Sequence, residues 1–442
     1  MKRTPRLPLL ILAFFATASA RAATPLTLAQ AVHYAIEHSP AIVAAADTRA
    51  LRENDYRNRV SALLPQADLT AVHGLGGTFD SPALPAPTSP RTSNLTGTLS
   101  ESLYDNGQSL TQLKTADLSR QLAVLDYQRT RDSLVLEVVQ GYYRLSAART
   151  VQEANVRQQE LLDKQFRQLT DQYKMGLKTR KDFVRFEAQV QKGQTTLLNG
   201  QAGMDHALVE LRRSLGFGLG PATDTDFVSV SPDRAEAAPP ASLSPELPLA
   251  ATYEARLAQL QKTINEQSVS LAEREYWPRA FVTADLAYQN AGYLGPNGTT
   301  TNGGWNWDAL LTIKASLWDW GTRRRGVSSA ELTRDISAAS LDQNLLVVSS
   351  LLMKLGKDLD RDRRIHLTNQ ELLKLETQSF KYVESDYREG KISYLDFETA
   401  LNNLLAARTG LYASYYGYLQ DVAQYSYYEG TAYDRFTTEA KN

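Results

Sequence analysis

The chain has 442 residues, a formal net charge of −1 and no cysteine. The lack of cysteine excludes disulfides, thiol nucleophiles and Cys-ligated metal sites. The near balance of acidic and basic residues argues against a nucleic-acid partner, which would need a clustered excess of lysine and arginine.

Residues 1–22 have the pattern of a secretory signal peptide. Lys2, Arg3 and Arg6 give a basic start, an apolar run follows, and small residues precede a cleavage site that we place after Ala22. Removal of the four basic residues in this stretch would change the net charge from −1 to −5. Beyond it, no run of about 18 apolar residues predicts a transmembrane helix. We therefore expect an exported chain.

The remainder consists of two halves that repeat each other. The segment 104–107 (YDNG) returns 214 positions later as 318–321 (WDWG), and 173–176 (YKMG) returns as 387–390 (YREG). A repeat of about 200 residues is far longer than the 20–50 residues of solenoids and propellers. It predicts a duplicated half-molecule. We expect a first repeat at 23–216, a connector at 217–248, a second repeat at 249–430 and a polar tail at 431–442.

Long helices are predicted in both halves. No proline lies between Pro90 and Pro221, and none follows Pro296, so two stretches of more than 100 residues are free of this helix breaker. Apolar residues recur there at spacings of three and four, as in coiled coils. A helix from Gly107 to Lys174 would be about 100 Å long. A compact enzyme domain has no place for such a helix.

Each half also carries two segments in which apolar and polar residues alternate. They lie near 67–79 and 94–104 in the first half, and near 280–289 and 309–319 in the second. Strands of about ten residues with one apolar face suit an outer-membrane β-barrel. Alternation alone fits a soluble hairpin equally well, because one face of such a hairpin covers a core.

Tryptophan distinguishes these two interpretations. All five tryptophans lie at the ends of the second strand pair, and indole rings collect at membrane interfaces. Phe79 and Tyr104 are weaker equivalents in the first half. The linkers 80–93 and 290–304 are rich in Pro, Gly, Ser and Thr and are expected to be exposed loops. The predicted interface aromatics are Trp277, Trp305, Trp307, Trp318 and Trp320.

Four strands cannot close a membrane barrel, since about eight are the minimum. An open sheet would leave unpaired backbone groups in lipid at several kcal/mol each. The sequence therefore predicts an oligomer to which each chain contributes four strands.

The signal, the two α-β-β-α halves, the long helices and the repeated Y-x-x-G…D tip together resemble the TolC-like outer-membrane efflux factors. The resemblance implies an α+β membrane protein in which three chains form one twelve-stranded barrel. The barrel would continue as a coiled-coil tunnel through the periplasm, with an equatorial band formed by the connector and the tail. It also implies a passive channel of tripartite efflux or type I secretion, working without cofactors beside a periplasmic adaptor and an inner-membrane pump.

A soluble periplasmic coiled-coil scaffold or adaptor is the alternative from another class of protein. The placement of the tryptophans and the combination of a signal with strands count against it.

The two repeated tips are the main candidate sites. Gly176 and Gly390 suit the left-handed position that ends a helix. Thr179 and Ser393 can cap the next helices, with aspartate three residues later as in a capping box. Helix capping is therefore one interpretation of Asp182 and Asp396.

The resemblance implies a second interpretation, in which three copies of Asp396 form the pore constriction at the periplasmic mouth. Asp182 and Tyr387 match positions of links that close the mouth. Some members carry a second acid where this chain has Thr399, and a basic partner where it has Ile392, so the closure is expected to differ in detail. The tips also match the adaptor-docking region, for which the candidates are Tyr173, Gly176, Leu177, Gly390 and Ile392.

The other motifs give weaker indications of function. Arg323-Arg324-Arg325 fits a solvated helix start better than a lipid-headgroup site, and the tyrosines of the final helix fit tunnel-wall packing. His33 and His38 are five residues apart, a poor spacing for a metal pair on a helix. No nucleophile, base and acid stand out together, so neither an enzyme nor a metal site is predicted.

Overall fold

A computed structural model of the chain describes residues 26–75, 91–216, 227, 249–295 and 298–438. The expected signal peptide and Phe79 lie outside the described residues, as does the expected connector except for Phe227. A 3₁₀ turn at Leu249–Ala251 precedes α5. In chain order the elements are α1 (Leu28–His38), α2 (Pro40–Ser61), β1 (Gln66–Leu75), β2 (Arg91–Tyr104), α3 (Gln108–Lys174), α4 (Arg180–Ser214), α5 (Tyr253–Arg274), β3 (Arg279–Gly295), β4 (Gly298–Lys314), α6 (Thr322–Arg388), α7 (Tyr394–Glu429) and α8 (Ala432–Thr438).

The duplication predicted from the sequence is visible in the fold. The order α2-β1-β2-α3-α4 is repeated as α5-β3-β4-α6-α7. Helices α3 and α6 each have 67 residues, which corresponds to about 100 Å at 1.5 Å per residue. Each pairs with the next helix to form a long hairpin.

The four strands form one antiparallel sheet in the order β1-β2-β3-β4. The register aligns most apolar positions of the four strands on one face, as predicted for a barrel wall, with Glu101 beside Val282 as an exception. Polar positions share the other face, where one row contains Asp68, Thr98, Asp285 and Asp308. On the apolar face the rows Ala71–Leu95–Tyr288–Trp305 and Leu69–Gly97–Leu286–Trp307 cross the whole sheet.

The strand bounds of the second repeat differ from those expected. Strands β3 and β4 continue through most of the predicted loop 290–304, where β-branched threonines at 299–301 favour extended backbone. Strand β4 ends at Lys314 and not near residue 319, because its partner β3 begins only at Arg279, just after Pro278. Residues 315–320 therefore have no partner strand within the described chain.

The main core lies where α1, α3, α4, α7 and α8 meet. Val138 and Val139 of α3 are fully buried there together with Tyr416 of α7. The prediction of a polar tail at 431–442 was wrong for the first part of this segment, which forms α8. Helix α8 packs into this core through Ala432 and Phe436, since residues four apart share one face of a helix.

Leu26, just before α1, and Phe227 also meet at this level of the molecule. Leu26 and Phe227 form an isolated parallel bridge, and the Arg149 guanidinium donates a hydrogen bond to the Phe227 carbonyl. The Tyr142 hydroxyl donates to the Leu26 carbonyl at 3.0 Å. Leu26 and Phe227 are thereby held against the middle of α3.

Helix packing differs between the repeats. Helix α5 packs against both α3 and α6, whereas α2 packs against α3 and makes no comparable contact with α6 among the described residues. Among the described helices, α6 has an 18-residue window of mean hydropathy 1.3, apolar enough for a membrane span, of which only 11% is buried. The sequence analysis did not expect such a segment. A helix whose apolar face is covered in an assembly shows the same pattern.

Candidate functional site: helical tips and membrane face

The first tip joins α3 to α4. Gly176 has φ +76°, its amide donates to the Tyr173 carbonyl at 2.9 Å, and the Leu177 amide donates to the Gln172 carbonyl at 2.8 Å. These two bonds define a Schellman motif, which requires a residue that tolerates positive φ. The predicted role of this glycine in ending the helix is therefore seen directly.

The second tip repeats this geometry between α6 and α7. Gly390 also has φ +76°, and its amide donates to the Tyr387 carbonyl at 3.1 Å. The Lys391 amide donates to the Asp386 carbonyl at 2.9 Å. The two turns thus have the same backbone with different side chains.

The capping interactions differ between the tips. Asp396 and Ser393 form a complete capping box, in which the Asp396 carboxylate accepts from the Ser393 amide at 3.1 Å and its hydroxyl at 2.7 Å. At the first tip the Thr179 hydroxyl donates to the Asp182 carboxylate at 2.8 Å. No bond from the Thr179 amide to that carboxylate completes the box in the described structure. The geometry thus accounts for Asp396 as a capping residue, while its carboxylate remains solvent-exposed.

The structure brings Tyr387 and Asp182 together across the two tips of one chain. Burial and then the charge of Asp182 raise the pKa of Tyr387. No hydrogen bond joins them among the described residues. The Lys178 ammonium lies 5.2 Å from the centre of the Tyr387 ring, a cation–π distance. The ring also stacks on Phe397 at 4.8 Å.

Lys178 was not singled out by the sequence analysis. The resemblance directed attention to Ile392, which is apolar, whereas the basic side chain near Tyr387 comes from the other tip. A lysine two residues after the Schellman glycine, facing a tyrosine at the equivalent turn, was the available signal. It could be interpreted only once the two tips were known to touch.

A buried aromatic cluster holds the two hairpins together above the tips. Phe186 of α4 contacts Tyr394 of α7 with ring centres 4.9 Å apart. The Tyr394 hydroxyl is buried without a hydrogen-bond partner. Burial and the nearby Glu398 raise the pKa of Tyr394. The phenol is therefore neutral, and the tips behave as one packed unit.

The predicted adaptor-docking residues differ in accessibility. Tyr173 stacks on Phe183 with ring centres 5.0 Å apart, so it packs the turn. Leu177 is 69% exposed, and Ile392 is half-buried. Nothing lies within 4 Å of where a β-carbon would stand on Gly176 or Gly390. Of these positions, Leu177 therefore presents the largest apolar side chain to a partner.

The predicted interface aromatics fall into two groups along the sheet. Trp305 and Trp307 lie on its apolar face near the hairpin end. Trp277, Trp318 and Trp320 lie near the helices, beyond the strand ends, and all five side chains are exposed. From Trp305 to Lys314 the strand spans about 30 Å, or about 23 Å at a tilt of ~40°. This height matches the ~25 Å apolar band of outer-membrane barrels.

The arginine run has a structural role. Arg323 pairs with Asp319 at 2.6 Å, and its guanidinium lies 5.0 Å from the centre of the Tyr276 ring. These contacts fit a helix start. Tyr415, Tyr416, Tyr418 and Tyr425 are buried in helix-packing cores, as expected of wall residues.

A pair of carboxyl groups on α6 and α7 was missed by the sequence analysis. Asp421 is hydrogen-bonded to Asp362. Burial, that bond and the negative charges of Asp362 and Asp358 raise the pKa of Asp421 to about 7. Arg361 pairs with both Asp358 and Asp362. Within the described chain, no group of three or more His, Cys, Asp and Glu residues has an arrangement that could hold a metal ion.

Comparison with solved structures supports the fold. The Campylobacter jejuni CmeC outer membrane channel aligns over 92% of this chain and 86% of its own, with a TM-score of 0.76 and 15% identity. The Vibrio cholerae outer membrane protein VceC aligns over 93% and 96%, with a TM-score of 0.73 and 16% identity. The open state of the Neisseria gonorrhoeae MtrE outer membrane channel aligns over 93% and 90%, with a TM-score of 0.74 and 14% identity.

The family comparison covers both repeats. No curated protein sequence matches the chain. The profile of the outer membrane efflux protein family matches residues 31–217 and 250–425. Since this match includes most of the sequence, the chain belongs to the outer membrane efflux protein family.

Proposed function

We propose that three copies of the chain form one exit duct in the outer membrane, extending into the periplasm. It passively conducts substrates delivered by a periplasmic adaptor and an inner-membrane pump, in tripartite efflux or type I secretion. The observation that carries the proposal is a membrane-type sheet with two open edges, on helices about 100 Å long.

The sheet needs partners because β1 and β4 are edge strands. In hydrocarbon each unpaired backbone group costs several kcal/mol. Pairing β4 of one chain with β1 of the next satisfies both edges. Three chains give twelve strands, which is within the range of bacterial barrels.

The helices support the same assembly. Val139 of α3 is fully buried, but Met353, its counterpart 214 positions later on α6, is 64% exposed. The first repeat is covered by helices of the second, including α5 and α7. In a ring of repeats, α6 is covered in the same way by helices of the next chain.

A soluble scaffold fits this molecule less well. Family membership and the continuous apolar face of the sheet favour a membrane channel over a wholly periplasmic protein. CmeC and MtrE are outer membrane channels, and passage through such a channel needs no bound cofactor.

At the periplasmic end we propose that Asp396 lines the constriction and that Asp182 and Tyr387 stabilise the closed mouth. The exposed Asp396 carboxylate can cap its helix and face the pore at the same time. Lys178 on the Tyr387 ring is a further candidate for holding the tips closed. We propose that Tyr173, Gly176, Leu177, Gly390 and Ile392 form the adaptor-docking tips.

The assembly is tested by electrophoresis and mass measurement of the detergent-purified protein. Unheated samples should run as an oligomer of three chains that heating converts to monomers. A monodisperse monomer with a stable barrel signal in mild detergent would contradict the proposal.

Adaptor docking is tested at the most exposed tip residue. Leu177→Asp should leave the heat-labile trimer intact and reduce export in cells, because a charge replaces an apolar contact. The control is Leu198→Asp, since Leu198 is an exposed leucine of α4 away from the tip. Equal export by both variants would exclude Leu177 from docking.

A further inference from the structure

Two corners of the molecule, where a strand passes into a long helix, have the same backbone. Asn106 and Trp320 have φ +55° and +54°. In each corner the preceding aspartate accepts a hydrogen bond from the amide of the following glycine, Asp105 at 2.9 Å and Asp319 at 3.0 Å. The corners occupy equivalent places in the two repeats.

The residue in the left-handed conformation differs sharply between the corners. Asparagine adopts positive φ readily, whereas a bulky aromatic residue at positive φ is a genuine outlier. Trp320 is also 81% exposed, and its ring contact within the chain is an edge-on approach to Trp318 at 5.6 Å. The strained conformation of Trp320 is therefore not compensated by burial in the single chain.

In the first corner a residue from another helix sits on the turn. Arg274, at the end of α5, donates a hydrogen bond from its guanidinium to the Asn106 carbonyl. A β-carbon on Gly107 would stand 2.7 Å from that guanidinium. The end of α5 thus packs against the first corner.

The position equivalent to Arg274 is Ser61, 213 residues earlier and at the end of α2. Because α2 does not pack along α6 within the described chain, Ser61 cannot close the second corner of its own subunit. Arg325 replaces the missing bond, since it donates to the Trp320 carbonyl at 3.1 Å. Its guanidinium lies 3.2 Å from a β-carbon placed on Gly321, much as Arg274 approaches Gly107.

The sizes of the residues at the two corners are complementary. A small asparagine faces a long arginine in the first corner, whereas a large tryptophan would face a serine in the second. Leu63 and Leu64, which follow Ser61, are exposed and offer apolar contact to an indole. The first corner thus combines one large and one small side chain, and a serine beside Trp320 would give the second corner the same combination.

We infer that the end of α2 of one subunit, residues 61–64, seats on Trp320 of the next subunit, as the end of α5 seats on Asn106 within the chain. This contact rests on the proposed trimer. It makes Trp320 a residue that selects another copy of this chain at the junction of barrel and tunnel. The partner is a second copy of this chain because the end of α5, the counterpart of the end of α2, already occupies the equivalent corner inside each subunit.

The contact is tested by cysteine cross-linking in the full-length protein, in which the natural absence of cysteine removes any background. A chain carrying both Ser61→Cys and Thr322→Cys is treated with a short bis-maleimide in native membranes and heated in SDS. We expect covalent dimers and trimers from the double variant and monomers from each single variant. The control is Asn106→Cys with Arg274→Cys, which should cross-link within one chain and add no oligomer band.

If unheated samples contain the trimer but the Ser61–Thr322 pair remains monomeric after cross-linking, the corner contact is wrong and the trimer stands. If no oligomer forms at all, the proposed function itself fails. Trp320→Asn is the second variant, because asparagine suits the conformation but removes the indole. We expect it to lower the temperature at which the trimer dissociates, whereas an unchanged temperature would assign Trp320 to the lipid interface and overturn the inference.

Discussion

The two repeats have almost the same backbone but different surroundings. Around Val139 the first long helix is covered by other helices of the chain, whereas around Met353 the equivalent surface of α6 is open. The apolar pattern of both helices is similar, so the difference is not one of sequence. In the proposed trimer, the second repeat carries a packing surface whose partner is a helix of the next chain.

The largest expected effect separates these two surfaces. Val139→Asp should destabilise the chain by about 4 kcal/mol or more, because a charge would be buried without a partner. Met353→Asp should leave the single chain folded and abolish the trimer. Circular dichroism and unheated electrophoresis of both variants measure this. A trimer that tolerates Met353→Asp would place α6 at a free surface.

In the sheet the second repeat carries more of the lipid face, with Leu311 at the position of Gly97. Leu311→Arg or Ile313→Arg should block assembly, since a charge near the membrane midplane costs roughly 2–4 kcal/mol. Thr312→Arg, on the opposite face, should be tolerated better. Membrane fractionation and heat-labile mobility report assembly, and equal damage from both faces would contradict the face assignment.

The pair of carboxyl groups on α6 and α7 is a further difference between the two repeats, because the first repeat has no such pair. Asp362 and Asp421 correspond to Ala148 and Ala207. Burial and the carboxylate of Asp362 raise the pKa of Asp421 to about 7, from 3.8. Between these pH values the folded chain holds more of this proton than the unfolded chain does, so this group makes stability fall as pH rises from about 4 to 7.

Asp421→Asn should therefore stabilise the protein above pH 7 and flatten the pH dependence of its melting temperature between about pH 4 and 7. The effect should be on the order of 1 kcal/mol, since Asp421 is only half-buried and water screens its charge. Asp205→Asn, on the exposed face of α4, is the matched control. An unchanged pH profile in Asp421→Asn would mean that the two carboxyl groups do not share a proton in solution.

The smallest effect concerns the two tips. Asp396→Ala should cost about 1 kcal/mol of local helix stability through loss of the capping box, and Asp182→Ala should cost less. If Asp396 also lines the pore, divalent cations added from the periplasmic side should block conductance in planar bilayers, and Asp396→Ala should relieve the block. Identical cation sensitivity in wild type and variant would leave Asp396 with capping alone.

A matched pair of variants at the same mouth distinguishes closure from cation binding. Asp182→Ala or Tyr387→Phe should raise basal conductance, because each removes a polar group that the resemblance assigns to the links closing the mouth, and should leave cation block largely intact. Loss of cation block in either variant would assign that residue to the pore constriction.

Much of the architecture could be predicted because it depends on local pattern. Duplication, proline-free helices, glycines at the tips and alternation in the strands are properties of the chain itself. The failures concern long-range contacts. Strands β3 and β4 extended through a segment of loop-like composition because each supplies the other with hydrogen bonds. Helix α8 packs into the core through only two buried residues, Ala432 and Phe436. Two apolar residues are too few to form a recognisable pattern in a polar segment.

The site was predictable to a similar degree. Capping by Ser393 with Asp396 follows from spacing three residues apart, and the structure shows it. Lys178 beside Tyr387 and Asp362 beside Asp421 involve residues many positions apart on different helices, so no local pattern reveals them. The contact of Trp320 with another subunit becomes apparent only when its corner is compared with that of Asn106.

The equal length of α3 and α6, 67 residues each, has a mechanical consequence. Both hairpins have the same height, so an axial force applied at the periplasmic end is distributed over both of them. Neither tip protrudes beyond the other. Inserting seven residues into one of these helices alone would displace its tip by about 10 Å at 1.5 Å per residue. The lengthened hairpin alone would then carry the axial force, and the end face of the duct would no longer be level.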